Sequence, residues 1–263
     1  MHKPLKKFGQ NFLTQPAIAR NIVKALQINN QDTIIEIGPG PGVLSEIIIS
    51  QKPKNYFAIE IDKRWAHDLS TRFGNEIVIL NVDFLEWDFT SIIEEKKNIK
   101  IIGNIPYNIT SPILFKLLDH FSKLDCAVVM MQKEVAKRIV SEPGIKDFGI
   151  LSILTQTFAQ VEWLFEVGRK NFKPEPKVDS AVVKFNFFDR TDGIDNLKLF
   201  KQTVRGTFNY RRKMLRNSLG RIFDQTIVSS LDNYDLTRRP EQLTIAEFKE
   251  LSNTINRMKK NME

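Results

Sequence analysis

The glycine-rich segment Glu36-Ile-Gly-Pro-Gly-Pro-Gly42 is the feature that most restricts what this chain can fold into. It follows the apolar, mostly β-branched run Thr33–Ile37, which predicts a buried strand, and it precedes Val43–Ser50, which predicts a helix. A glycine loop between a strand and a helix is typical of α/β folds, because glycine lets the backbone approach a ligand closely. The segment therefore favours parallel strands that are connected by helices.

The following residues continue this alternation as far as residue 188. Further strands are predicted at 56–61, 77–82, 99–103 and 126–131, and helices at 63–73 and 113–121. This spacing implies a parallel, doubly wound sheet. A later alternating segment, 180–188, is predicted to be one more strand, alone or in a hairpin with 161–167.

After residue 188 the pattern becomes polar and turn-rich, and residues from about 196 onward have the pattern of helices. We therefore predict an α/β domain of residues 1–190, with a basic N-terminal arm, and a smaller α-helical domain of residues 191–263. The predicted fold class is Rossmann-like.

Charge and composition restrict the partners of the chain. The net charge is +8, no acidic residue precedes Asp32, and residues 198–221 contain eight basic and no acidic residues. Such patches favour a polyanion, most simply a nucleic acid. The sequence has no long apolar run, no secretory signal, one cysteine and three scattered histidines, so we expect a cytoplasmic protein without a membrane segment, a disulfide or a metal site.

The glycine loop itself narrows the class of ligand. No Lys-Ser/Thr pair follows the glycines, so the segment is not a Walker A phosphate loop. Pro39 and Pro41 remove two backbone N–H donors that a pyrophosphate would need, whereas Gly38 and Gly40 keep the backbone accessible. An adenosine cofactor without phosphate, S-adenosylmethionine, satisfies both conditions.

Carboxylates lie at the ends of the second and third predicted strands. Glu60, with Ile61 beside it, lies where a carboxylate accepts hydrogen bonds from both ribose hydroxyls. Asp83 is placed to accept a hydrogen bond from the adenine amino group, with Phe84 beside the ring. Because the carboxyl ends of parallel strands meet at one edge, these side chains and the glycine loop form one predicted cofactor site.

Asn104-Ile-Pro-Tyr107 ends the fourth strand at the same edge, so Asn104 is predicted to contact the cofactor as well as the target base. The Asn104 side-chain oxygen and the Ile105 carbonyl could each accept one hydrogen of an exocyclic amine on a nucleobase, which directs the nitrogen lone pair at a methyl group. Pro106 stiffens the turn, and Tyr107 could stack on a flipped base. The predicted chemistry is methyl transfer to an amino nitrogen by positioning and electrostatics, without a covalent intermediate.

Several segments, in this order, carry a resemblance to a known family. They are Lys7-Phe-Gly-Gln-Asn-Phe-Leu13, the glycine loop, Asn104-Ile-Pro-Tyr-Asn-Ile109, Met131-Gln-Lys-Glu-Val-Ala136, Phe172-Lys-Pro-Glu-Pro-Lys-Val-Asp-Ser-Ala-Val182, Asn209-Tyr-Arg-Arg-Lys-Met-Leu-Arg-Asn217 and Arg239-Pro-Glu-Gln-Leu243. With them the chain resembles the ribosomal RNA adenine N6-dimethyltransferases, and within that family the bacterial small-subunit (16S) group.

The resemblance implies further site residues and a substrate. It implies that Asn11 and Leu13 contact the cofactor and that Phe172 supplies a second aromatic ring near the target base. It also implies that four methyl groups pass from S-adenosylmethionine to two adjacent adenosines in a hairpin loop near the 3′ end of 16S rRNA. The implied substrate is a partly assembled small ribosomal subunit, and we expect the chain to act as a monomer.

Docking to RNA is assigned to the basic segment, with Arg211, Arg212, Lys213 and Arg216 as the predicted contacts. Two other functions remain open at this point. One is a large-subunit rRNA adenine methyltransferase, which shares the fold and catalytic motif. The other is a ribosome-assembly factor that uses this fold for binding.

Overall fold

The computed structural model describes residues 2–5, 8–88, 92, 98–188 and 190–262. The chain divides into two compact units, one of residues 1–136 and 159–189 and the other of residues 137–158 and 190–263. The second unit therefore contains segment 137–158, which the predicted boundary at residue 190 assigns to the α/β domain. That segment joins the second unit because Phe158 is fully buried with its ring edge against the ring of Phe200, at a centroid distance of 6.5 Å.

The first unit is built on a mixed sheet of seven strands in the described part of the chain. The strands, numbered along the chain together with two short ones outside this sheet, are β1 (Phe12–Leu13), β2 (Thr33–Ile37), β3 (Asn55–Ile59), β4 (Val78–Leu80), β5 (Ile99–Asn104), β6 (Cys126–Gln132), β7 (Ala159–Val167), β8 (Phe172–Lys173) and β9 (Ser180–Phe187). Their order in the sheet is β4-β3-β2-β5-β6-β9-β7.

Strands β4 to β6 in this order are parallel, and β9 and β7 add an antiparallel hairpin at one side. This arrangement confirms the predicted parallel strands and the hairpin between 161–167 and 180–188. The short strand β1 pairs antiparallel with β8, which places Leu13 opposite Phe172. Since β2, β3, β4 and β5 are parallel, their carboxyl ends lie at the same edge of the sheet.

Helices of the first unit connect these strands. They are α1 (Pro16–Leu26), α2 (Val43–Ser50), α3 (Lys63–Phe73), α4 (Thr110–Asp119) and α5 (Lys133–Ile139), whose last three residues belong to the second unit. Helix α4 begins three residues before the predicted start at 113, because Pro112 lies in its first turn, where a missing N–H costs no hydrogen bond.

The second unit consists of helices in its described residues. They are α6 (Ile150–Phe158), α7 (Leu197–Asn209), α8 (Leu215–Leu219), α9 (Gln225–Ser229) and α10 (Ile245–Lys260). Helix α10 begins with a capping box in which Thr244 and Glu247 each accept the other's backbone N–H. Its buried Phe248 packs against Phe208 of α7. The predicted fold class, an α/β Rossmann-like part with a smaller helical part, is confirmed.

Candidate functional site

A cavity of about 310 Å³ lies at the carboxyl ends of the parallel strands in the first unit. Five segments line it, namely residues from the N-terminal arm, the glycine loop, and the residues that follow β3, β4 and β5. The cavity lining contains the following predicted site residues: Asn11, Leu13, Gly38, Gly40, Glu60, Ile61, Asp83, Phe84, Asn104, Ile105, Pro106 and Tyr107.

The glycine loop has left-handed backbone angles, which explains why it needs glycine. Gly38 has φ +65° and Gly40 has φ +52°. A Cβ at Gly40 would lie 2.7 Å from the Phe12 ring, whereas a Cβ at Gly38 would meet no atom within 4 Å. Gly40 therefore lets the arm lie against the loop, and Gly38 exposes its backbone to the cavity.

Glu60 is held in place by backbone donors. Its Oε2 accepts from the Gly40 N–H at 2.9 Å and its Oε1 from the Asp62 N–H at 2.8 Å. The side chain is buried, and this burial raises the pKa of the Glu60 carboxyl above its usual 4.5. A carboxylate has about four acceptor positions, so acceptor capacity remains for ligand hydroxyls.

Glu36 lies behind the loop, at the end of β2. Its Oε2 accepts hydrogen bonds from the Ser45 hydroxyl at 2.7 Å and from the Tyr56 hydroxyl. Burial raises the pKa of the Glu36 carboxyl to about 7. Glu36 lines the cavity, although its sequence position suggested only that it precedes the glycines.

Residues after β3 and β4 form an apolar slot with one carboxylate. Ile61 and Val82 are exposed residues of the cavity lining, and Phe84 is a buried one. Asp83 Oδ1 accepts from the Leu85 N–H at 2.8 Å. This combination of apolar side chains and one acceptor suits a purine ring with an amino group.

Asn104, the last residue of β5, is oriented by the N-terminal arm. Its Nδ2 donates to the Asn11 carbonyl at 2.8 Å, which leaves Oδ1 as the acceptor that it presents within the described part of the chain. The Ile105 N–H donates to the Met130 carbonyl at 3.2 Å, so the backbone of this loop is tied to β6. The amide oxygen and the Ile105 carbonyl belong to consecutive residues of the lining.

Tyr107 lies in the lining three residues later. Its hydroxyl forms a 2.7 Å hydrogen bond with the Ser180 hydroxyl, and burial raises the pKa of the Tyr107 phenol, so it stays neutral. This hydrogen bond fixes the ring of Tyr107. The loop continues into α4, where the Thr110 hydroxyl donates to the Pro106 carbonyl at 3.2 Å.

Residues of the arm and of α3 complete the site, and the sequence reasoning missed three of them. Gln10 Nε2 donates to Asp62 Oδ2 at 3.1 Å, and Arg64 pairs with the same carboxylate. The Arg64 guanidinium lowers the pKa of the Asp62 carboxyl to about 2. Asp62 also donates its N–H to Glu60, so it joins the arm to the cavity. The spacing Glu60-x-Asp62-x-Arg64 was the available signal.

Phe172 lies apart from the other predicted catalytic residues. It is buried in the hydrophobic core of the first unit, next to Leu13 across the β1–β8 pair, and it is not among the residues that line the cavity. Its predicted contact with a base therefore stays a prediction, and the structure gives the ring a core contact instead.

The predicted RNA-binding residues belong to the second unit. Arg212, Lys213 and Arg216 are exposed. Arg211 is only partly exposed, because its guanidinium donates to the Lys146 carbonyl and lies 3.7 Å from a Glu241 carboxylate oxygen. Three of the four predicted contacts are therefore exposed cations, and the fourth, Arg211, is bound to other residues of the second unit.

The described residues contain neither a candidate metal site nor a candidate membrane span. No group of three or more His, Cys, Asp or Glu side chains in those residues could hold a metal ion. In the ranges given above, no helix combines the length and the apolar character that crossing a bilayer requires. The single cysteine, Cys126, is buried, and burial raises the pKa of its thiol to about 12.

Known sequences resemble the chain over nearly its whole length. A family model described as ribosomal RNA adenine dimethylase matches residues 1–257. Ribosomal RNA small subunit methyltransferase A of Prosthecochloris aestuarii is 42% identical over 251 residues, which cover 95% of this chain and 93% of that protein. The protein of the same name from Pseudomonas aeruginosa is 37% identical over 257 residues, which cover 97% and 95%.

Solved structures agree with these matches. A dimethyladenosine transferase from Plasmodium falciparum is similar with a TM-score of 0.80 and 27% identity, covering 94% of this chain and 98% of that one. The 23S rRNA methyltransferase ErmE is similar with a TM-score of 0.69 over 94% of this chain and all of that one, and at 23% identity this likeness concerns the fold alone. On the family model and these identities, the chain belongs to the ribosomal RNA adenine dimethylase family.

Proposed function

We propose that the chain transfers methyl groups from S-adenosylmethionine to N6 of two adjacent adenosines in the 3′-terminal hairpin loop of 16S rRNA. Each adenosine receives two methyl groups, and the reaction belongs to the biogenesis of the small ribosomal subunit. Membership of the family supports methyl transfer to rRNA adenine. The small-subunit methyltransferases at 37% and 42% identity support the small subunit as the substrate.

The residues of the cavity fit S-adenosylmethionine. Open space beside Gly38 admits the ligand against the backbone, and the fixed Glu60 carboxylate can accept from both ribose hydroxyls. Asp83 offers a carboxylate to the adenine amino group within the apolar slot that includes Ile61 and Phe84. When bound, the cofactor supplies a methyl group on a positively charged sulfur.

The N-terminal arm closes the lining on another side. Asn11 and Leu13 line the cavity, and the Asn11 carbonyl is the group that holds the Asn104 amide. The arm thus both borders the ligand and orients a catalytic side chain. The position of Asn11 in the cavity lining and its bond to Asn104 support its place among the proposed cofactor-binding residues. Its side-chain amide donates to the Gly9 carbonyl.

In the proposed reaction, Asn104 and Ile105 make the target nitrogen nucleophilic. The Asn104 side-chain oxygen and the Ile105 carbonyl each accept one amine hydrogen, which draws the nitrogen towards tetrahedral geometry. Tyr107, whose hydroxyl is held by Ser180, supplies a neutral ring for stacking on the flipped base. For the second methyl group one amine hydrogen remains, so a single acceptor is sufficient.

One observation carries the proposal, namely the hydrogen bond from Asn104 Nδ2 to the Asn11 carbonyl. An asparagine side chain has an NH2 group, which donates, and an oxygen, which accepts, and only the oxygen can accept a hydrogen of the target amine. Because the NH2 group donates to the Asn11 carbonyl, the oxygen is the group that remains for the amine. Preorganised groups of this kind contribute because they need no rearrangement when charge develops.

The exposed cations Arg212, Lys213 and Arg216 are the proposed contacts to RNA phosphates. Changing these three residues to Glu is expected to weaken binding to small subunits at least about 10-fold, and this loss of affinity should become larger as the salt concentration falls. The affinity for S-adenosylhomocysteine should stay unchanged. Filter binding and calorimetry measure the two quantities.

A matched control changes Arg257, Lys259 and Lys260 of α10 to Glu, which alters the net charge equally. Equal weakening by both triple variants would contradict a specific docking surface. Arg211 is left unchanged because its contacts to Lys146 and Glu241 are internal to the unit.

The function is tested by methyl transfer from labelled S-adenosylmethionine to unmethylated small subunits and, separately, to naked large-subunit rRNA. Products are mapped by nuclease digestion and mass spectrometry. Dimethyladenosine in 16S rRNA that disappears in Asn104→Ala supports the proposal. Label only in large-subunit RNA, or firm subunit binding without any label, would overturn it in favour of a large-subunit enzyme or an assembly factor, respectively.

A further inference from the structure

The geometry points to Lys116 of α4 as a positioning residue for the adenine subsite. We propose that Lys116 fixes the turn that carries Asp83 and Phe84, and that it thereby sets the affinity and the selectivity for the adenine ring. This inference rests on the proposed use of S-adenosylmethionine. It concerns a residue that does not line the cavity itself.

The Lys116 ammonium group lies against the main chain of this turn. Its Nζ donates to the carbonyl oxygens of Phe84 at 2.7 Å, Leu85 at 2.9 Å and Trp87 at 2.5 Å. An ammonium group has three N–H donors, so it can donate to all three carbonyls at once. Bonds from a charged donor are stronger than neutral ones, which makes this group a firm anchor.

The same turn is held from within by Asp83. The Asp83 side chain accepts from the Leu85 N–H at 2.8 Å, and its carbonyl accepts from the Glu86 and Trp87 N–H groups at 3.1 and 2.9 Å. The N–H groups of the turn therefore donate to Asp83, while the carbonyl groups of the turn accept from Lys116. Removal of Lys116 leaves three carbonyls without their common donor and frees the turn to rotate its carbonyls towards water.

Lys116 also contacts the ring that borders the adenine slot. Its Nζ lies 5.3 Å from the centroid of the Phe84 ring, within the range of a cation–π contact. Phe84 is buried and belongs to the cavity lining. A shift of the turn therefore moves both parts of the adenine subsite, the apolar wall and the Asp83 carboxylate.

The position of Lys116 on α4 links the adenine subsite to the catalytic loop. Helix α4 begins at Thr110, whose hydroxyl donates to the Pro106 carbonyl. The helix therefore holds the loop with Asn104 at its start and the adenine turn through Lys116, less than two helical turns later. This connection places the adenine turn and the catalytic loop against one rigid helix, in which only the adenine turn depends on Lys116.

The test uses Lys116→Met, which keeps the length and the apolar stem of the side chain but removes its donors. Lys123→Met serves as the control, because Lys123 is an exposed lysine of the same unit. Lys116→Leu, which also lacks side-chain donors, replaces Lys116→Met in every comparison if the methionine variant fails to give a cooperative thermal transition.

Calorimetry gives the affinity of each protein for two probes, S-adenosylhomocysteine and S-inosylhomocysteine, in which an oxygen replaces the adenine amino group. We expect the wild type to prefer the adenine probe, and Lys116→Met to lose about 10-fold in affinity for it but less than about 3-fold for the inosine probe. The preference therefore decreases, and Lys123→Met keeps it.

An unchanged preference in Lys116→Met, whether both affinities stay at the wild-type level or decrease by the same factor, would overturn the role of Lys116. Failure of the wild type to bind S-adenosylhomocysteine would instead overturn the proposed cofactor. Methyl transfer adds a second measurement, in which Lys116→Met raises KM for S-adenosylmethionine with kcat nearly unchanged. A decrease in kcat alone would contradict a positioning role at the adenine subsite.

Discussion

The glycine-loop side of the cavity and the Asn104–Tyr107 side differ in what their polar groups contact. On the glycine-loop side, Glu60 accepts from two backbone N–H groups, and Asp62 accepts from Gln10 and Arg64. On the other side, one donor bond orients Asn104, and its oxygen stays available as an acceptor. The first side is fixed mainly by contacts within the protein, and the second presents acceptors to a ligand.

This difference separates binding from chemistry. Contacts that hold Glu60 exist without a ligand, so we expect Glu60 to favour a bound cofactor equally in the ground state and in the transition state. In the proposed reaction the Asn104 oxygen contributes more as the amine nitrogen loses planarity, so we expect it to act mainly on the transition state. Substitutions on the two sides are therefore expected to change different quantities, KM or affinity on one and kcat on the other.

The largest effect is expected for Asn104→Ala. Loss of the acceptor should lower kcat by about 10³-fold, while the affinity for S-adenosylhomocysteine changes by less than about 3-fold. Asn108→Ala, which removes a neighbouring amide of the cavity lining, is the control and should lower kcat by less than about 10-fold. Single-turnover methylation and calorimetry measure the two quantities. An equal loss of affinity in Asn104→Ala would contradict the separation.

The next effect concerns Glu36, on the binding side. Its folded pKa of about 7 lies above the ordinary 4.5 because of burial, so the folded state keeps a proton that the unfolded chain releases between these values. As pH rises from 4.5 to 7, the wild type should therefore lose on the order of 3 kcal/mol of stability relative to Glu36→Gln, in which Glu60 and the other groups still titrate. Urea unfolding at a series of pH values measures the difference, and parallel curves would contradict it.

Two glycine substitutions distinguish contact with the arm from contact with the ligand. Both Gly38→Ala and Gly40→Ala force alanine into a left-handed conformation, but only at Gly40 does the new methyl group meet the Phe12 ring. Gly40→Ala should therefore reduce the unfolding free energy by about 1–2 kcal/mol more than Gly38→Ala. Gly38→Ala should reduce the affinity for S-adenosylhomocysteine, because its methyl group enters the cavity.

Chemical denaturation and calorimetry test this pair. Phe12→Leu in the Gly40→Ala background should restore part of the lost stability, because a smaller side chain relieves the contact. Equal stabilities of the two alanine variants would show that the arm does not lie against Gly40 in solution.

The smallest effect is expected for Gln10→Ala. Gln10 accepts from the Leu5 N–H and donates to Asp62, so its loss loosens the arm without touching the sheet. The affinity for S-adenosylhomocysteine should decrease by about 2- to 5-fold, and the arm should be cleaved faster in limited proteolysis. Gln15→Ala is the control, because the exposed Gln15 side chain makes no capping hydrogen bond to α1. Unchanged cleavage in Gln10→Ala would contradict the role of this contact.

The strands and most of the residues that line the cavity could be predicted from the sequence. Runs of mostly β-branched residues such as Thr33–Ile37 indicate strands that are buried on both faces of the sheet, and this can be predicted from the run itself. Polar residues near the ends of these runs mark the edge of the sheet where ligands bind. Glu60, Asp83 and Asn104 could therefore be assigned to one edge before any contact was known. The same reasoning gave strand ends that differ by one or two residues, because pairing, not periodicity, ends a strand.

Contacts between distant parts of the chain could not be predicted in this way. Gln10 and Asp62 are 52 residues apart, and Lys116 lies 32 residues from Phe84, so no local pattern joins them. Segment 137–158 belongs to the helical unit through the contact of Phe158 with Phe200, although its position in the chain suggested the α/β unit. Phe172 was expected near a base because of the family resemblance, while its rigid loop is equally compatible with the core position that it has.

The most direct test of the account is a crystal structure of the chain with S-adenosylhomocysteine and adenosine, in which the two sides of the cavity can be compared at once. We expect Asn104 Oδ1 to lie about 3 Å from the adenosine N6, Nδ2 to stay on the Asn11 carbonyl, and Glu60 to contact the cofactor ribose. An Asn104 amide that points its nitrogen at the adenosine, or an N6 atom far from both Asn104 and Ile105, would contradict the central claim.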